Sequence, residues 1–461
     1  MAVPNKGEQV RLPVTDLAFG GMGVGKIDDF VIFVSGALPG EDVTAEIIKR
    51  KKNYAEARII QIDSPSPDRI EPRCKHFPLC GGCRLQHLAY EKQAEYKRSQ
   101  IHDSLKQVGG LSEIPEIKLI LSKQPFYYRN KMEYSFGLSA DNELQLGLHP
   151  RGRWGRVFDV EECFLQSEQS AAIVAAVRKA AQELSIPAYD QKCHEGLLRY
   201  CMIREGKRTG QRMVNLVTLK SAESEIGQIL QRIDADRVGI TSVVNNVNTR
   251  KATIAYGEYE YPVLGDPFIY EEISGTKFKI SANSFFQTNS LTAESLFAEV
   301  AEFAGCQGNE KVLDLYCGTG SISFSIQDKV QNLIGVDSES SAIEDAITNR
   351  DINGIGNCEF YVYDSLDYLK IANTSGQHFD VVIADPPRAG MHPKMIPQIA
   401  QLNPPKLVYV SCNPPALARD CADLIETGYR LERLTCLDMF PQTPHIEAVA
   451  LFTRPTVRRL Q

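Results

Sequence analysis

Lys311-Val312-Leu313-Asp314-Leu315-Tyr316-Cys317-Gly318-Thr319-Gly320 sets a strand-length apolar run against a turn with two glycines, and a helical pattern follows over 321–327. Strand, glycine turn and helix open a parallel sheet whose ligands sit outside the carboxyl ends of the strands. Glycine at 318 and 320 lets backbone approach a ligand closely. Asp337 ends the next strand-like run, seventeen residues after Gly320, where a carboxylate accepts hydrogen bonds from ribose hydroxyls. A dinucleotide fingerprint wants a third glycine at 323, but the residue is Ser323. The turn therefore favours an adenosine ligand without a pyrophosphate, such as S-adenosylmethionine. Tyr316 either lines that pocket or packs in the core.

Working outward, residues 332–336, 358–363, 379–384 and 406–410 read as further strands, with helical patterns over 338–353, 365–371 and 394–402 between them. Such alternation builds a doubly wound α/β sheet. Residues 431–439 and 446–453 read as a closing hairpin. Three reactive groups fall at strand ends: Asp385 in Asp385-Pro386-Pro387-Arg388, Cys412 in Ser411-Cys412-Asn413-Pro414, and Glu447 in His445-Ile446-Glu447. Uracil carbon 5 is a poor nucleophile until a thiolate adds to carbon 6. A base must then remove the carbon-5 proton so that the thiolate is expelled. Cys412 supplies the thiol, Asp385 a clamp on the uracil edge and Glu447 the base. An aromatic after the two prolines would point to exocyclic-amine methylation; Arg388 stands there instead. Cytosine-5 chemistry would place the thiol beside the earlier proline loop, where Ala384 is found.

Size and charge bound the rest. The 461 residues suggest two to four domains, and a net charge of −7 argues against a uniformly basic nucleic-acid binder. Lys49-Arg50-Lys51-Lys52 is the clearest basic cluster. Met1-Ala2-Val3-Pro4-Asn5-Lys6 shows no apolar stretch before a cleavage site, so a cytoplasmic location is expected, and twelve cysteines then argue against a disulfide scaffold. Residues 1–63 alternate like a small β-barrel. Gly20-Gly21-Met22-Gly23-Val24-Gly25-Lys26 nearly spells a phosphate loop, but Ile27 replaces the magnesium-binding hydroxyl. Residues 64–285 read as a central α+β domain, and 286–461 as the doubly wound domain. Cys74, Cys80 and Cys83 form a C-x5-C-x2-C spacing that Cys163 closes into a four-thiolate set. Such a set suits iron–sulfur or structural zinc, and the spacing favours a [4Fe–4S] cluster. Cys193, Cys201, Cys306, Cys317, Cys358, Cys421 and Cys436 read as buried small residues.

Together these motifs, with Ser284-Phe285-Phe286-Gln287-Thr288-Asn289, resemble the RNA uracil-C5 methyltransferases, in particular their iron–sulfur 23S rRNA branch. The resemblance covers nearly the whole chain. It implies a TRAM RNA-binding barrel over 1–63 and a class I, Rossmann-like S-adenosylmethionine-dependent methyltransferase domain over 286–461. It implies Cys412 as nucleophile and Glu447 as base. Gln287, Tyr316, Ser321, Asp337, Asp364 and Asp385 would line the cofactor site, although related enzymes often carry asparagine at the places of Ser321 and Asp364. Cys74, Cys80, Cys83 and Cys163 would hold the cluster. The substrate implied is a flipped or loop uridine of 23S rRNA, acted on by a monomer. Phe285 and Phe286 either stack near that base or pack in the core. Arg129, Asn130 and Lys131 either contact RNA or form structural links. The alternatives are the T-loop of tRNA, whose enzymes would be expected to lack the barrel and the thiols, and a non-catalytic iron–sulfur RNA-binding protein, which would lack Cys412 or Glu447.

Overall fold

Period-two alternation governs the first part of the computed structural model, which describes residues 4–454; residues 1–3 and 455–461, at the outer ends of the first and last expected domains, lie outside the described residues. β1 (Gln9–Leu17), β2 (Met22–Ile27), β3 (Phe30–Ser35), β4 (Asp42–Arg50) and β5 (Tyr54–Ser64) close a barrel in the order β1-β2-β3-β5-β4. Leu12, Ile32, Val34, Val43 and Ile47 fill its interior. The glycine-lysine run is strand β2. A Cβ on Gly25 would stand 2.4 Å from the Pro13 carbonyl oxygen, so this position needs glycine for strand contact.

After the cysteine segment come α1 (Tyr90–Gln107) and β6 (Ile117–Ile120), whose partners lie far downstream. The central part follows: β7 (Lys131–Leu138), β8 (Leu144–Leu148), β9 (Phe158–Asp159), α2 (Glu168–Glu183), β10 (Leu198–Glu205), β11 (Arg212–Thr218), α3 (Glu223–Arg232), β12 (Ser242–Val247) and β13 (Tyr259–Leu264). Its seven strands form one sheet, β13-β12-β11-β10-β7-β8-β9, against which α2 and α3 pack through Ile173, Val174, Val177, Ile226 and Ile229. A separate hairpin, β14 (Phe268–Ile273) and β15 (Thr276–Ser281), leads to the last part.

There α4 (Ser290–Ala304) precedes β16 (Lys311–Leu315), α5 (Ser321–Ile326), β17 (Asn332–Asp337), α6 (Ser340–Ile352), β18 (Cys358–Val362), α7 (Ser365–Thr374), β19 (Val381–Ala384), α8 (Met395–Leu402), β20 (Lys406–Ser411), α9 (Pro414–Glu426), β21 (Arg430–Leu437) and β22 (Glu447–Thr453). The sheet order is β18-β17-β16-β19-β20-β22-β21-β6. The first five are parallel, and β22 runs antiparallel between β20 and β21. Strand order reverses between β16 and β19, which opens a crevice at their carboxyl ends. This is the doubly wound domain expected from sequence.

One boundary differs from expectation. Residues 90–120 were expected in the central domain, yet β6 pairs in parallel with β21, and Ile101, Leu105 and Ile117 join the core cluster of α9. The physical reason is the sheet edge: without β6, β21 would present an open row of backbone donors and acceptors. A second tie is a buried ion pair, Lys97 Nζ to Asp438 Oδ1 at 2.7 Å, with side chains 2% and 0% exposed. No helix of the described residues is long and apolar enough to cross a membrane.

Lys97→Met leaves Asp438 charged, buried and alone. It is expected to lower unfolding free energy by about 3–5 kcal/mol, read from urea denaturation, while Lys97→Met/Asp438→Leu recovers most of that loss.

Candidate active site

A cavity of about 500 Å³ opens at the strand-order reversal, and its walls include Gln287, Tyr316, Ser321, Asp337, Asp385, Cys412 and Glu447. Each comes from an element end. Tyr316 and Ser321 flank the glycine turn after β16, Asp337 closes β17, Asp385 follows β19, Cys412 follows β20, and Glu447 begins β22. Gln287 lies in the connection before α4.

The turn itself is tightly specified. Tyr316, Gly318 and Gly320 all have positive φ, at 62°, 54° and 81°. Gly318 N–H donates to Asp337 Oδ2 at 3.0 Å and Glu339 N–H to Asp337 Oδ1 at 2.9 Å, which joins two strand ends. The Tyr316 hydroxyl donates to Met395 Sδ at 2.8 Å, so this residue both lines the cavity and packs on the core. Behind the turn, Ser323 Oγ donates to fully buried Asp314 at 2.5 Å; burial nevertheless pushes that carboxyl up to about 7.

Asp364 is not in the cavity wall. It caps α7, accepting from Leu366 N–H at 2.9 Å and Asp367 N–H at 3.2 Å. An aspartate after a strand and before a helix satisfies orphan backbone donors first. Its charge still reaches the Tyr316 phenol, where it adds to the upward push of burial. Glu339, Thr319 and Phe440 line the cavity without having been singled out from sequence. For Glu339 the signal was present: a second carboxylate two residues past the strand-end aspartate. Phe440 gave none, because the loop between β21 and β22 has no periodicity.

Burial dominates the electrostatics of the reactive groups. It pushes the Cys412 thiol up to about 11; Glu447 and Asp385 add to this, and Arg388 opposes it. Asp385 is half-buried, and loss of solvent around it pushes its carboxyl up to about 7. Glu447 is raised well above the ordinary carboxylate range, first by burial and then by the negative charge of Asp385, with Arg388 again opposing. Two carboxyls so placed hold on to a proton at neutral pH. His445 is pushed down to about 4 by burial and by Arg388, so its imidazole is neutral.

The segment holding Gln287 is fixed from three sides. Ser284 Oγ bonds Asp345, Asn130 Nδ2 donates to Gln287 O at 2.8 Å, and Asn289 Nδ2 donates to Met439 O at 2.9 Å. This separates the two phenylalanines. Phe286 is 3% exposed in the core, whereas Phe285 is 60% exposed at the cavity wall. It also settles Asn130 as a structural residue, and Lys131 pairs with Glu133 at 2.8 Å.

Cys74, Cys80, Cys83 and Cys163 all line a second cavity, of about 370 Å³, and burial raises all four thiols. Arg151 straps its loop, donating to the carbonyls of Phe77, Cys80 and Cys83 at 2.8–3.0 Å. The four-thiolate metal centre expected from the sequence is not formed in this structure: among the described residues no three or more His, Cys, Asp or Glu side chains group closely enough to hold a metal ion. A lone zinc needs all four sulfurs at about 2.3 Å. Cys193, expected buried, is exposed in the turn after Asp190.

Comparison with known proteins agrees with this geometry. The tRNA (uracil-5-)-methyltransferase family model matches residues 263–455, and the TRAM domain model matches residues 5–60. Uncharacterized RNA methyltransferases of Halalkalibacterium halodurans and Chlorobaculum tepidum are 36% and 38% identical to it, each over 97% of both chains. The solved structure of Pyrococcus abyssi tRNA (uracil-54, C5)-methyltransferase, in complex with S-adenosyl-L-homocysteine, is 32% identical, covers 96% of this chain and 100% of its own, and superposes with a TM-score of 0.76. A tRNA enzyme thus aligns across the barrel and the cysteine segment, so those two features do not by themselves separate ribosomal from transfer RNA. With a TRAM barrel, a doubly wound methyltransferase domain and full-length relatives of this kind, the chain belongs to the RNA (uracil-5-)-methyltransferase family.

Proposed function

We propose that this protein transfers a methyl group from S-adenosylmethionine to carbon 5 of an unpaired uridine in 23S rRNA, through a covalent bond between Cys412 and uracil carbon 6. The observation that carries the reading is the single cavity shared by the glycine turn, Asp385, Cys412 and Glu447. A second reading, the T-loop of tRNA, draws on the substrate of the Pyrococcus abyssi relative. A non-catalytic role is disfavoured, since thiol and base are both retained and face one cavity.

The cofactor supplies an electrophilic methyl group and a positive charge that favours the thiolate. Gln287, Tyr316, Ser321 and Asp337 line the cavity and would hold it, with Asp337 the carboxylate offered to the ribose hydroxyls. Cys412 gives up its proton to solvent water, and the thiolate adds to carbon 6. Electron density moves through carbon 5 onto oxygen 4, where Asp385, kept protonated by burial, donates a hydrogen bond. Carbon 5 then takes the methyl group and the donor leaves as a neutral thioether. Glu447 removes the carbon-5 proton, the carbon 5–carbon 6 double bond reforms, and the thiolate departs. Phe285 offers the flipped base a stacking face. We further propose that Cys74, Cys80, Cys83 and Cys163 hold a [4Fe–4S] cluster with a structural role, supported by their common cavity.

Incubation with labelled cofactor and separate 23S rRNA and tRNA transcripts decides the substrate; label in tRNA alone refutes the ribosomal reading. With 5-fluorouridine RNA a covalent complex is expected to accumulate, and Cys412→Ala abolishes both complex and turnover. Glu447→Gln is expected to slow turnover by about 10²–10⁴-fold while the methylated adduct persists; rapid release would remove Glu447 as the base.

The mechanism needs one carboxyl ionised as base and the other protonated as donor, so kcat/KM is expected to rise as the pair loses its first proton, near pH 7, and to fall as it loses the second. Asp385→Asn removes the like charge that raises Glu447 and moves the rising limb to lower pH. A limb that stays in place breaks the pairing. Anaerobically purified protein is expected to carry iron and acid-labile sulfide, and Cys163→Ala to lose both; zinc in their stead overturns the cluster.

A further inference from the structure

Between β8 and β9 the chain runs His149-Pro150-Arg151-Gly152-Arg153-Trp154-Gly155-Arg156, with three arginines and no acid. Trp154 is the single tryptophan of the chain, and it is 78% exposed. A lone exposed apolar side chain needs no explanation, but this one sits on a loop built to hold it still. Arg153 N–H donates to Pro150 O, and Arg156 N–H to Arg153 O, both at 3.1 Å. His149 Nδ1 donates to Arg156 O at 2.8 Å, closing the loop, and Nε2 accepts from Ser135 Oγ at 2.9 Å. The same imidazole stands beside the indole, with ring centroids 5.8 Å apart.

The three arginines divide their work. Arg151 turns inward onto the cysteine loop, with its guanidinium 4.6 Å over the Phe77 ring. Arg153 and Arg156 are exposed, and among the described residues neither has a carboxylate partner. The loop is also tied to the active-site wall. Arg151 holds Cys83 O at 3.0 Å, and the next two residues, Arg84 and Leu85, donate their backbone N–H groups to Gln442 O at 3.0 and 3.1 Å, two residues from Phe440.

We propose that residues 149–156 form a contact site for unpaired RNA beside the target uridine: Trp154 stacks on a nucleobase while Arg153 and Arg156 meet the adjoining phosphates. The proposal rests on the RNA reading above and deepens it. An ordered indole between free guanidiniums is the combination that single-stranded nucleic acid recognises, with a stacking face that tolerates any base and cations that track the backbone. A protein partner would call for an apolar interface core, and the neighbours of Trp154 are arginine and glycine.

The test uses the full-length protein and the RNA transcripts named above. Bound nucleobase quenches indole emission, and the only indole is at 154, so titration is expected to give saturable quenching. Trp154→Ala is expected to weaken binding by about five- to a hundred-fold, and Trp154→Phe to restore most of it. Arg153→Gln and Arg156→Gln are each expected to reduce the salt slope of binding by about 0.7. An exposed position makes a folding defect the wrong explanation for such losses. Methyl transfer without quenching, or unchanged affinity in Trp154→Ala, overturns the contact site and leaves the transfer reading intact. Quenching without methyl transfer upholds the contact site and overturns the transfer reading. RNA neither bound nor methylated overturns both.

Discussion

An ammonium and a carboxylate, Lys97 and Asp438, meet at 2.7 Å out of reach of water, and the wall of the active site is arranged around that contact. Burying two charges is tolerable only when each finds its partner in good geometry. Lys97 meets the demand twice, donating also to Phe440 O at 3.1 Å. The loop from Asp438 to His445 has no regular structure and is instead pinned residue by residue. Tyr128 hydroxyl donates to Pro441 O at 3.0 Å, Gln93 and Gln442 exchange hydrogen bonds at 3.0 Å, and Asn289 holds Met439 O. Gln442 sits at a φ of 68°, a conformation that a glutamine keeps only when its surroundings impose it. Helix α1, the cysteine segment and the central domain thus all converge on the few residues that precede Glu447.

The cavity so formed keeps its own groups close to neutral. Burial raises the thiol and both carboxyls and lowers the imidazole. Arg388 opposes the effect of burial at Cys412 and Glu447 and reinforces it at His445. Such a site does not repel a neutral uracil, and a protonated carboxyl beside a glutamine amide can complement a ring edge that both donates and accepts. The positive charge of a sulfonium donor would act in the direction that a thiol needs to ionise.

Most of the residues that line the cavity were legible from sequence because they lie at the ends of strands, and short apolar runs closed by glycine or proline mark strand ends well. The strand expected over 332–336 is Asn332–Asp337, and that over 406–410 is Lys406–Ser411. Asp364 caps α7, a use of a strand-end carboxylate that sequence alone does not separate from a ligand contact. The place of β6 was hidden for a different reason. Four residues carry no sign of a partner that lies hundreds of positions away, and helical periodicity in α1 says that a face is buried without saying against what. The basic run at 49–52 was ambiguous for the same cause: Lys49 is spoken for by Glu56 at 2.6 Å, while Arg50, Lys51 and Lys52 remain exposed at the barrel tip.

The late arrival of a partner for the strand Ile117–Ile120 has a consequence for how the polypeptide is made. Lys97 and Asp438 are 341 residues apart, and a ribosome moving at about 5–20 residues per second leaves the early helix and strand waiting for about 17–70 s. Over that interval the apolar stripe of the helix has no cover of its own. The nascent chain must therefore shelter a piece of its final domain while two others assemble, and the last domain is completed by the return of a segment synthesised long before it.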